Sequence, residues 1–305
     1  RQSRLSEGEV AESAVRLARE GAARKGGDDR TAHVGFYLID KGLRELERTA
    51  HPDLVVWPES SVLFWLDDAT NVRRLILPGV STPVLFGGIR HGEEVDGREL
   101  EHNTAFLADA NGDVVGTYDK TYLLAFGEYL PFGDVFPELY DISTSSGRFS
   151  PGDDVTPLEL TTADGASYRL SVLICYEDIV SSFVRRAVSE GDPHLLVNMT
   201  VDSWFGETQE PDVHLGLARF RAIEHRRYLV RATNSGVSAI VDATGAVTER
   251  SGLFTTETLA GEVAMMSGTT STFAIFGHWP AWAALLGIAW MAWRPMRAPR
   301  TVPVP

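Results

Sequence analysis

Short apolar runs that end abruptly in polar or turn residues constrain this fold more than any other feature. The first is Asp53–Trp57, which leads directly into Pro58, and Thr82–Ile89 and Tyr168–Ile174 have the same character. An apolar run without polar alternation is typical of a strand that is covered on both faces. Because these runs alternate with helical patterns such as Pro211–His225, the sequence predicts an α/β sandwich rather than an all-β domain.

Turn and cap signals place further elements. Asn111-Gly112 lies between two β-type runs, and Asn-Gly is a strong hairpin signal. A capping box at Ser6–Glu9 predicts a helix over 7–24, and a second helical pattern covers 32–48. A last hairpin is predicted to turn at Ala243–Gly245. The remaining predicted strands are Asn103–Ala108, Asp113–Tyr118, Leu195–Asn198, Tyr228–Ala232 and Val237–Val241.

Composition excludes some classes of function. The chain has 305 residues and a formal net charge of −14. This charge argues against a nucleic-acid partner and against electrostatic attraction to anionic lipid. A hydrophobic content of 44% is ample for a sizeable core. The simplest division is one domain over residues 1–270 followed by a tail.

That tail contains Phe273–Trp293, which has no Asp, Glu, Lys or Arg. At about 1.5 Å per residue a helix over this stretch spans roughly 30 Å, the thickness of the hydrocarbon layer of a bilayer. Three arginines, Arg294, Arg297 and Arg300, follow it. The pattern predicts a transmembrane helix over 271–295 and a basic cytoplasmic tail over 296–305, with the preceding domain on the outer face. The alternative is a buried core helix.

Cys175 is the only cysteine, so it has no intramolecular disulfide partner and no Cys-based metal cluster. It directly follows the apolar run that ends at Ile174, which makes it a candidate nucleophile. The alternative is a small hydrophobic core residue, since free cysteine is among the most buried residue types.

Two other polar residues follow predicted strands in the same way, namely Glu59 and Lys120. Side chains at separate strand ends converge on one site in open α/β sheets. A carboxylate can take the proton of a thiol, and an ammonium can stabilise the resulting thiolate and a developing oxyanion. Taken singly, however, a Glu after Pro is usually a turn residue, and a Lys after a strand is usually solvated.

Several ordered blocks resemble one family. Leu54–Ser60, Tyr118–Pro131 and Leu173–Glu177 resemble the three catalytic blocks of the nitrilase (carbon–nitrogen hydrolase) superfamily. The closer similarity is to its membrane branch, the apolipoprotein N-acyltransferases. It is carried by Phe126–Pro131, Asp202–Gly206, His214–Glu224 and Arg231–Gly236. The resemblance implies a nitrilase-like α-β-β-α sandwich with a C-terminal transmembrane helix. The family's N-terminal membrane helices and first strand are expected to be absent from this sequence.

The resemblance also implies roles for individual residues. Glu59 matches the general base, Lys120 the electrostatic stabiliser and Cys175 the acyl-accepting nucleophile. Three supporting residues match too: a further essential carboxylate, Glu128, and the pair behind the nucleophile, Tyr176 and Glu177. For these three, orienting the site and reacting directly both remain open.

The implied reaction is an acyl transfer without a metal or organic cofactor. Cys175 would take an acyl chain from a membrane phospholipid as a thioester, and the N-terminal amine of a diacylglyceryl-cysteine lipoprotein would accept it. The expected location is the bacterial cytoplasmic (inner) membrane. Four aromatic residues are candidates for a lipid-facing mouth or for ordinary core: Phe64, Trp65, Trp204 and Phe205.

Two alternative functions remain, one that uses the same three residues and one that uses none of them. A membrane-anchored amidase of the nitrilase type would share Glu59, Lys120 and Cys175 but transfer the acyl group to water. A non-catalytic module or fragment would keep only the fold.

Overall fold

The computed structural model describes residues 51–62, 65–66, 71–75, 81–95, 97–143, 146–268 and 271–293. The helices predicted over 7–24 and 32–48, with their capping box, lie outside these ranges. The predicted tail at 296–305 also lies outside them.

The described residues form two mixed sheets, and the first has five strands. Its long antiparallel hairpin, formed by β3 and β4, continues into β5, while β1 and β2 pair parallel with β3. The hairpin predicted around Asn111-Gly112 is confirmed, with Gly112 at φ +84° in the left-handed region. The elements, in chain order, are β1 Val55–Val56, β2 Trp65–Leu66, the one-turn helix α1 Val72–Leu75, β3 Val84–Val95, β4 Arg98–Ala108 and β5 Val114–Asp119.

In the part of the chain that the structure describes, the second sheet has six strands in the order β11-β10-β9-β8-β7-β6. Its centre is parallel and its edges are antiparallel. Helices α3 and α4 form the crossovers between the parallel strands, which a short turn cannot join. The elements are α2 Leu139–Ile142, β6 Leu158–Thr161, β7 Ser167–Ile174, α3 Ser181–Gly191, β8 Leu195–Val201, α4 Glu210–His225, β9 Tyr228–Asn234, β10 Ala239–Val241 and β11 Val247–Arg250.

The main core lies between the two sheets. Leu85 and Leu107 of the first sheet belong to the same buried cluster as Val172 and Val197 of the second. Helices α3 and α4 cover the other face of the second sheet through a separate buried cluster that includes Leu215. The predicted α/β sandwich is confirmed for these three layers, and the helices predicted over 7–24 and 32–48 fall on residues that are not described.

The end of one predicted strand is wrong. The apolar run Thr82–Ile89, which has Gly87-Gly88 near its end, predicts a strand that ends at Ile89, but β3 passes through both glycines and continues to Val95. The glycines mark a close approach instead: a Cβ at Gly87 would lie 2.7 Å from the Cα of Glu59. Strand β6 and helix α3 are further elements that the sequence patterns did not reveal.

The predicted continuous helix over 271–295 is also wrong. The chain forms two helices there, α5 Thr272–Phe276 and α6 Trp279–Trp293, separated by Gly277 at φ +56°. The Arg185 guanidinium donates to the carbonyls of Ala274 and Ile275 (2.9 and 2.8 Å). It thus provides hydrogen-bond partners for carbonyl groups in the last turn of α5, which have none within the helix. At about 1.5 Å per residue α6 is roughly 22 Å long. Among the described residues, no helix is both long and apolar enough to cross a bilayer.

Candidate active site

Glu59 lies in the turn after β1 and is buried against β3. Its position is fixed by the backbone: Trp57 N–H donates to the carbonyl of Leu85 (2.8 Å), and Ser60 has a φ of +53°. The turn fits closely over β3 because Gly87 has no Cβ. The Glu59 carboxylate is only 7% exposed and therefore works largely out of contact with water.

Lys120 directly follows β5 and its ammonium contacts two carboxylates. Its Nζ lies 2.8 Å from Oε2 of Glu128 and 3.9 Å from Oε1 of Glu59. Glu128 is held in turn by the backbone N–H of Leu124, which donates to Oε2 at 2.9 Å. The supporting residue Glu128 is thus placed to orient Lys120.

Asn103 on β4 joins the same two carboxylates from the other side. Its Nδ2 donates to Oε1 of Glu59 (2.7 Å) and to Oε1 of Glu128 (3.0 Å). One amide group therefore fixes the orientation of both carboxylates around the Lys120 ammonium. The sequence prediction missed this role; the only signal was an amide side chain at the start of an apolar strand.

Cys175 follows β7 and begins a 3₁₀ turn, Cys175–Ile179, which we call the elbow. Its φ is +52°, a strained conformation for a residue with a Cβ, and such strain is found at catalytic turns. The Thr200 hydroxyl at the end of β8 lies beside the thiol. Next to Thr200, the backbone N–H of Val201 donates to Oε2 of Glu59 (3.1 Å). Strands β7 and β8 thus bring the thiol and the Glu59 carboxylate to one place.

The elbow is tied to the first sheet through Glu177. Its fully buried carboxylate accepts hydrogen bonds from the Tyr118 hydroxyl (2.9 Å) and from the backbone N–H groups of Thr121, Tyr122 and Ile174 (each 2.8 Å). Because these donors already occupy its oxygens, the geometry gives Glu177 an orienting role.

The remaining predicted residues lie at the surface or outside the described residues. Tyr176 is half-exposed, and its ring stacks on that of Tyr122 with centroids 6.5 Å apart. Trp204 and Phe205 are exposed, Trp204 by 86%, so they are not core residues. Phe64 lies outside the described residues, and for Trp65 only the backbone of β2 is described.

The charges of the site influence one another. Burial raises the pKa of Glu59, although Lys120 and Asn103 oppose the rise. Burial, together with the Glu59 charge, raises the pKa of the Cys175 thiol to about 12, against the opposing effect of Lys120. Burial would lower the pKa of Lys120, but Glu59 and Cys175 raise it overall, so Lys120 stays charged. The thiol therefore keeps its proton until a base removes it, and Glu59 is a stronger base than an exposed carboxylate.

In the described part of the chain, no three His, Cys, Asp or Glu side chains are grouped so that they could hold a metal ion.

Comparison with known proteins identifies the family. The profile of the carbon-nitrogen hydrolase family matches residues 43–270. The apolipoprotein N-acyltransferase of Geobacter metallireducens is 37% identical over 245 residues, which are 79% of this chain and 45% of that protein. The one of Bdellovibrio bacteriovorus is 35% identical over 261 residues, or 82% and 47%. The chain thus spans about half the length of the curated relatives it matches.

Solved structures that resemble the chain share less of its sequence. A mutant amidase from Nesterenkonia sp. AN1 superposes with a TM-score of 0.49 at 18% identity, covering 86% of this chain and 92% of that chain. A carbon-nitrogen hydrolase from Helicobacter pylori G27 gives a TM-score of 0.47 at 15% identity, covering 82% of each chain. The profile match covers most of the domain that carries Glu59, Lys120 and Cys175, and on that match the chain belongs to the carbon–nitrogen hydrolase family.

Proposed function

We propose that this chain is the catalytic part of an N-acyltransferase. It moves a fatty acyl chain from a phospholipid, through a thioester on Cys175, to the N-terminal amine of a diacylglyceryl-cysteine lipoprotein. The observation that carries the proposal is the convergence of Glu59, Lys120 and Cys175 in one buried site. The choice of substrates is supported by relatives that are named apolipoprotein N-acyltransferase.

The first half-reaction forms the thioester. Glu59 takes the thiol proton as the Cys175 sulfur attacks the ester carbonyl carbon of the phospholipid. The Lys120 ammonium stabilises the negative charge that develops on the carbonyl oxygen. When the C–O bond breaks, Glu59 returns the proton to the departing alkoxide, and a lysophospholipid leaves.

The second half-reaction resolves the thioester. The neutral α-amine of the lipoprotein attacks the thioester carbonyl, and Glu59 accepts a proton from the nitrogen. The C–S bond then breaks, and the proton on Glu59 returns to the Cys175 sulfur as the thiol is regenerated. Glu128 keeps the Lys120 ammonium in place through both steps, because its carboxylate contacts Nζ at 2.8 Å.

A membrane substrate agrees with the apolar surface of the loops that leave the site. After Lys120 the chain exposes Phe126, Phe132 and Phe136, and after β8 it exposes Trp204 and Phe205. Exposed apolar patches mark protein or membrane contact sites. Since the chain has a formal charge of −14, apolar insertion rather than attraction to anionic lipid would hold it at a bilayer. Placement on the outer face of the bacterial inner membrane remains part of the proposal.

Mass spectrometry of the purified chain after incubation with phospholipid vesicles tests the proposal. We expect a mass increase of one acyl chain on Cys175, which hydroxylamine removes and which a lipopeptide with a free N-terminal amine discharges. Cys175→Ala should show no adduct. If instead the chain releases ammonia from small amides and never carries a lipid acyl group, it is an amidase. If neither activity is found, the chain alone is a non-catalytic fragment.

A further inference from the structure

Behind the elbow lies a group of four buried ionisable side chains that the mechanism above does not use. Asp178, Asp202, His214 and Arg231 come from four different segments, and we call them the buried ion cluster. The two aspartates are completely buried, and His214 and Arg231 are 5% and 1% exposed. Burying charges away from water is costly unless they are paired and hydrogen-bonded, so the arrangement requires a specific geometry.

The buried ion cluster forms a closed ring of hydrogen bonds. Arg231 donates through Nη1 to Oδ2 of Asp178 (2.8 Å) and through Nη2 to Oδ2 of Asp202 (3.0 Å). His214 closes the ring, with Nε2 3.0 Å from Oδ1 of Asp178 and Nδ1 3.1 Å from Oδ1 of Asp202. A histidine that faces a carboxylate with each ring nitrogen donates to both only when it is protonated. The cluster then holds two negative and two positive charges.

The ring connects directly to the groups that hold the nucleophile. Asp178 belongs to the elbow, three residues after Cys175. Arg231 also donates to Oδ1 of Asn198 (2.5 Å), whose Nδ2 in turn donates to the carbonyl of Cys175 (3.3 Å). The Thr200 hydroxyl, which lies beside the thiol, donates to Oδ1 of Asp202 at 3.4 Å.

The buried ion cluster also fixes both ends of the segment 203–213, which carries the exposed Trp204 and Phe205 and which we call the aromatic loop. Asp202 immediately precedes the 3₁₀ turn Ser203–Phe205, and His214 lies near the start of α4. The segment 203–213 therefore leaves the buried ion cluster and returns to it. Gly236 makes this possible, since a Cβ there would lie 2.2 Å from Oδ2 of Asp202.

We infer that the buried ion cluster positions the Cys175 thiol for its reaction, by clamping the elbow to the base of the aromatic loop, with His214 as the positioning residue. This rests on the proposed function in that Cys175 is the reacting group. It does not depend on which acyl donor or acceptor is used. His214 is a positioning residue because it acts through Asp178 and Asp202.

Alkylation of Cys175 by iodoacetamide tests this inference without any lipid. Because Cys175 is the only cysteine, the adduct reports on one thiol. We expect His214→Gln to slow alkylation at neutral pH by about tenfold, since a small displacement of a reacting group has an effect of this order or larger. His225→Gln is the matched control: His225 is buried on the same helix, and its ring nitrogens have no hydrogen-bond partner among the described residues. This control should stay within about twofold of wild type.

The pH profile separates positioning from a general loss of structure. Burial would lower the pKa of His214, but the hydrogen bonds to Asp178 and Asp202 raise it to about 9, with Arg231 opposing the rise. Glu210, on the same helix, also lies close enough to interact with it. The ratio of wild-type to His214→Gln rates should therefore fall toward one as the pH rises through about 9.

Because loss of a buried cation can unfold a protein, a second variant keeps the cluster neutral. The double variant His214→Gln/Asp178→Asn retains only the pair Arg231–Asp202, and it should fold, as judged by its Tm, yet still alkylate slowly. The inference is overturned if the folded double variant alkylates at the wild-type rate. It is equally overturned if His225→Gln slows the reaction as much as His214→Gln does, or if the rate ratio does not change with pH.

Discussion

At the scale of single residues, the site depends on polar side chains within otherwise apolar strands. Asn103 at the centre of β4 orients two carboxylates, and Thr200 at the end of β8 contacts the thiol. Both are buried, and a buried polar group needs a partner. The roles of such residues cannot be recognised from the sequence. The strand pattern predicts which side chains are buried, but it does not predict which of them meet across two sheets.

Replacement of Asn103 by Asp tests its role, since the side chains have the same shape. The variant replaces two donated hydrogen bonds with a third negative charge beside Glu59 and Glu128. We expect thioester formation to slow by about a hundredfold, because displaced or wrongly charged groups cost this much at a reacting centre. Thioester formation should also reach its maximal rate only at a higher pH, since a like charge raises the pKa of Glu59 further. Single-turnover mass spectrometry over a range of pH measures both effects.

The control for this variant is Asn71→Asp. Asn71 also donates to a carboxylate, that of Asp113, but it is exposed and belongs to the hairpin end of the first sheet. It should leave the rate unchanged. Equal rates in the two variants would contradict the role given to Asn103.

At the scale of elements, the residues proposed to react lie where a strand ends and the backbone turns into the left-handed region. Ser60 after Glu59 and Cys175 itself have φ values of +53° and +52°. Each turn is held by another element, the first by β3 and the second by Glu177 and the buried ion cluster. The strand ends could be predicted from the apolar runs, whereas the route of β3 past Gly87 could not. A glycine pair signals a turn as readily as a close approach.

Gly87→Ala tests the contact between β3 and the turn that carries Glu59. The added methyl group would lie 2.7 Å from both the Cα of Glu59 and the N of Ser60, so the turn has to move. We expect thioester formation to fall by about a hundredfold in a protein that still folds. Gly216→Ala on α4 is the control, because in the described part of the chain a Cβ there would meet no atom within 4 Å outside its chain neighbours and the backbone of its own helix. A wild-type rate in Gly87→Ala, measured alongside the Tm of each variant, would show that the close approach does not position Glu59.

At the scale of the whole molecule, buried charge links the layers of the sandwich. Glu177 joins the second sheet to the first, and His214 joins α4 to the second sheet. Such links make stability depend on pH, because a buried group binds its proton differently once the chain unfolds.

His214 sets the sign of this dependence. Its pKa rises from the usual value of about 6.5 in the unfolded chain to about 9 in the folded one. The stabilisation that protonated His214 gives the folded state is therefore complete below about pH 6.5 and is lost as the pH rises through about 9. The free energy of unfolding should fall by an amount on the order of 3 kcal/mol over this range. Urea denaturation of the wild type at both pH values should show this decrease, and His214→Gln should not.

His225→Gln provides the comparison for this measurement. Burial, together with the nearby Arg221, lowers the pKa of His225 to about 4, so this side chain is neutral at both pH values. The free energy of unfolding of this variant should depend on pH as it does in the wild type. If His214→Gln loses as much stability between the two pH values as the wild type, the charge assigned to His214 is wrong.

The sequence by itself determined the α/β class, most strand positions, the Asn111-Gly112 hairpin and helix α4, because these follow from local periodicity and turn chemistry. It also singled out Glu59, Lys120 and Cys175, and the structure brings these three together. It misjudged the C-terminal stretch, because the absence of charge indicates burial or lipid but does not show the break at Gly277. It gave Asp178 no role of its own and quoted Asp202, His214 and Arg231 only as parts of family blocks. Only the tertiary structure decided that these four meet behind Cys175, since hydrogen bonds between distant segments leave no periodic trace in the sequence.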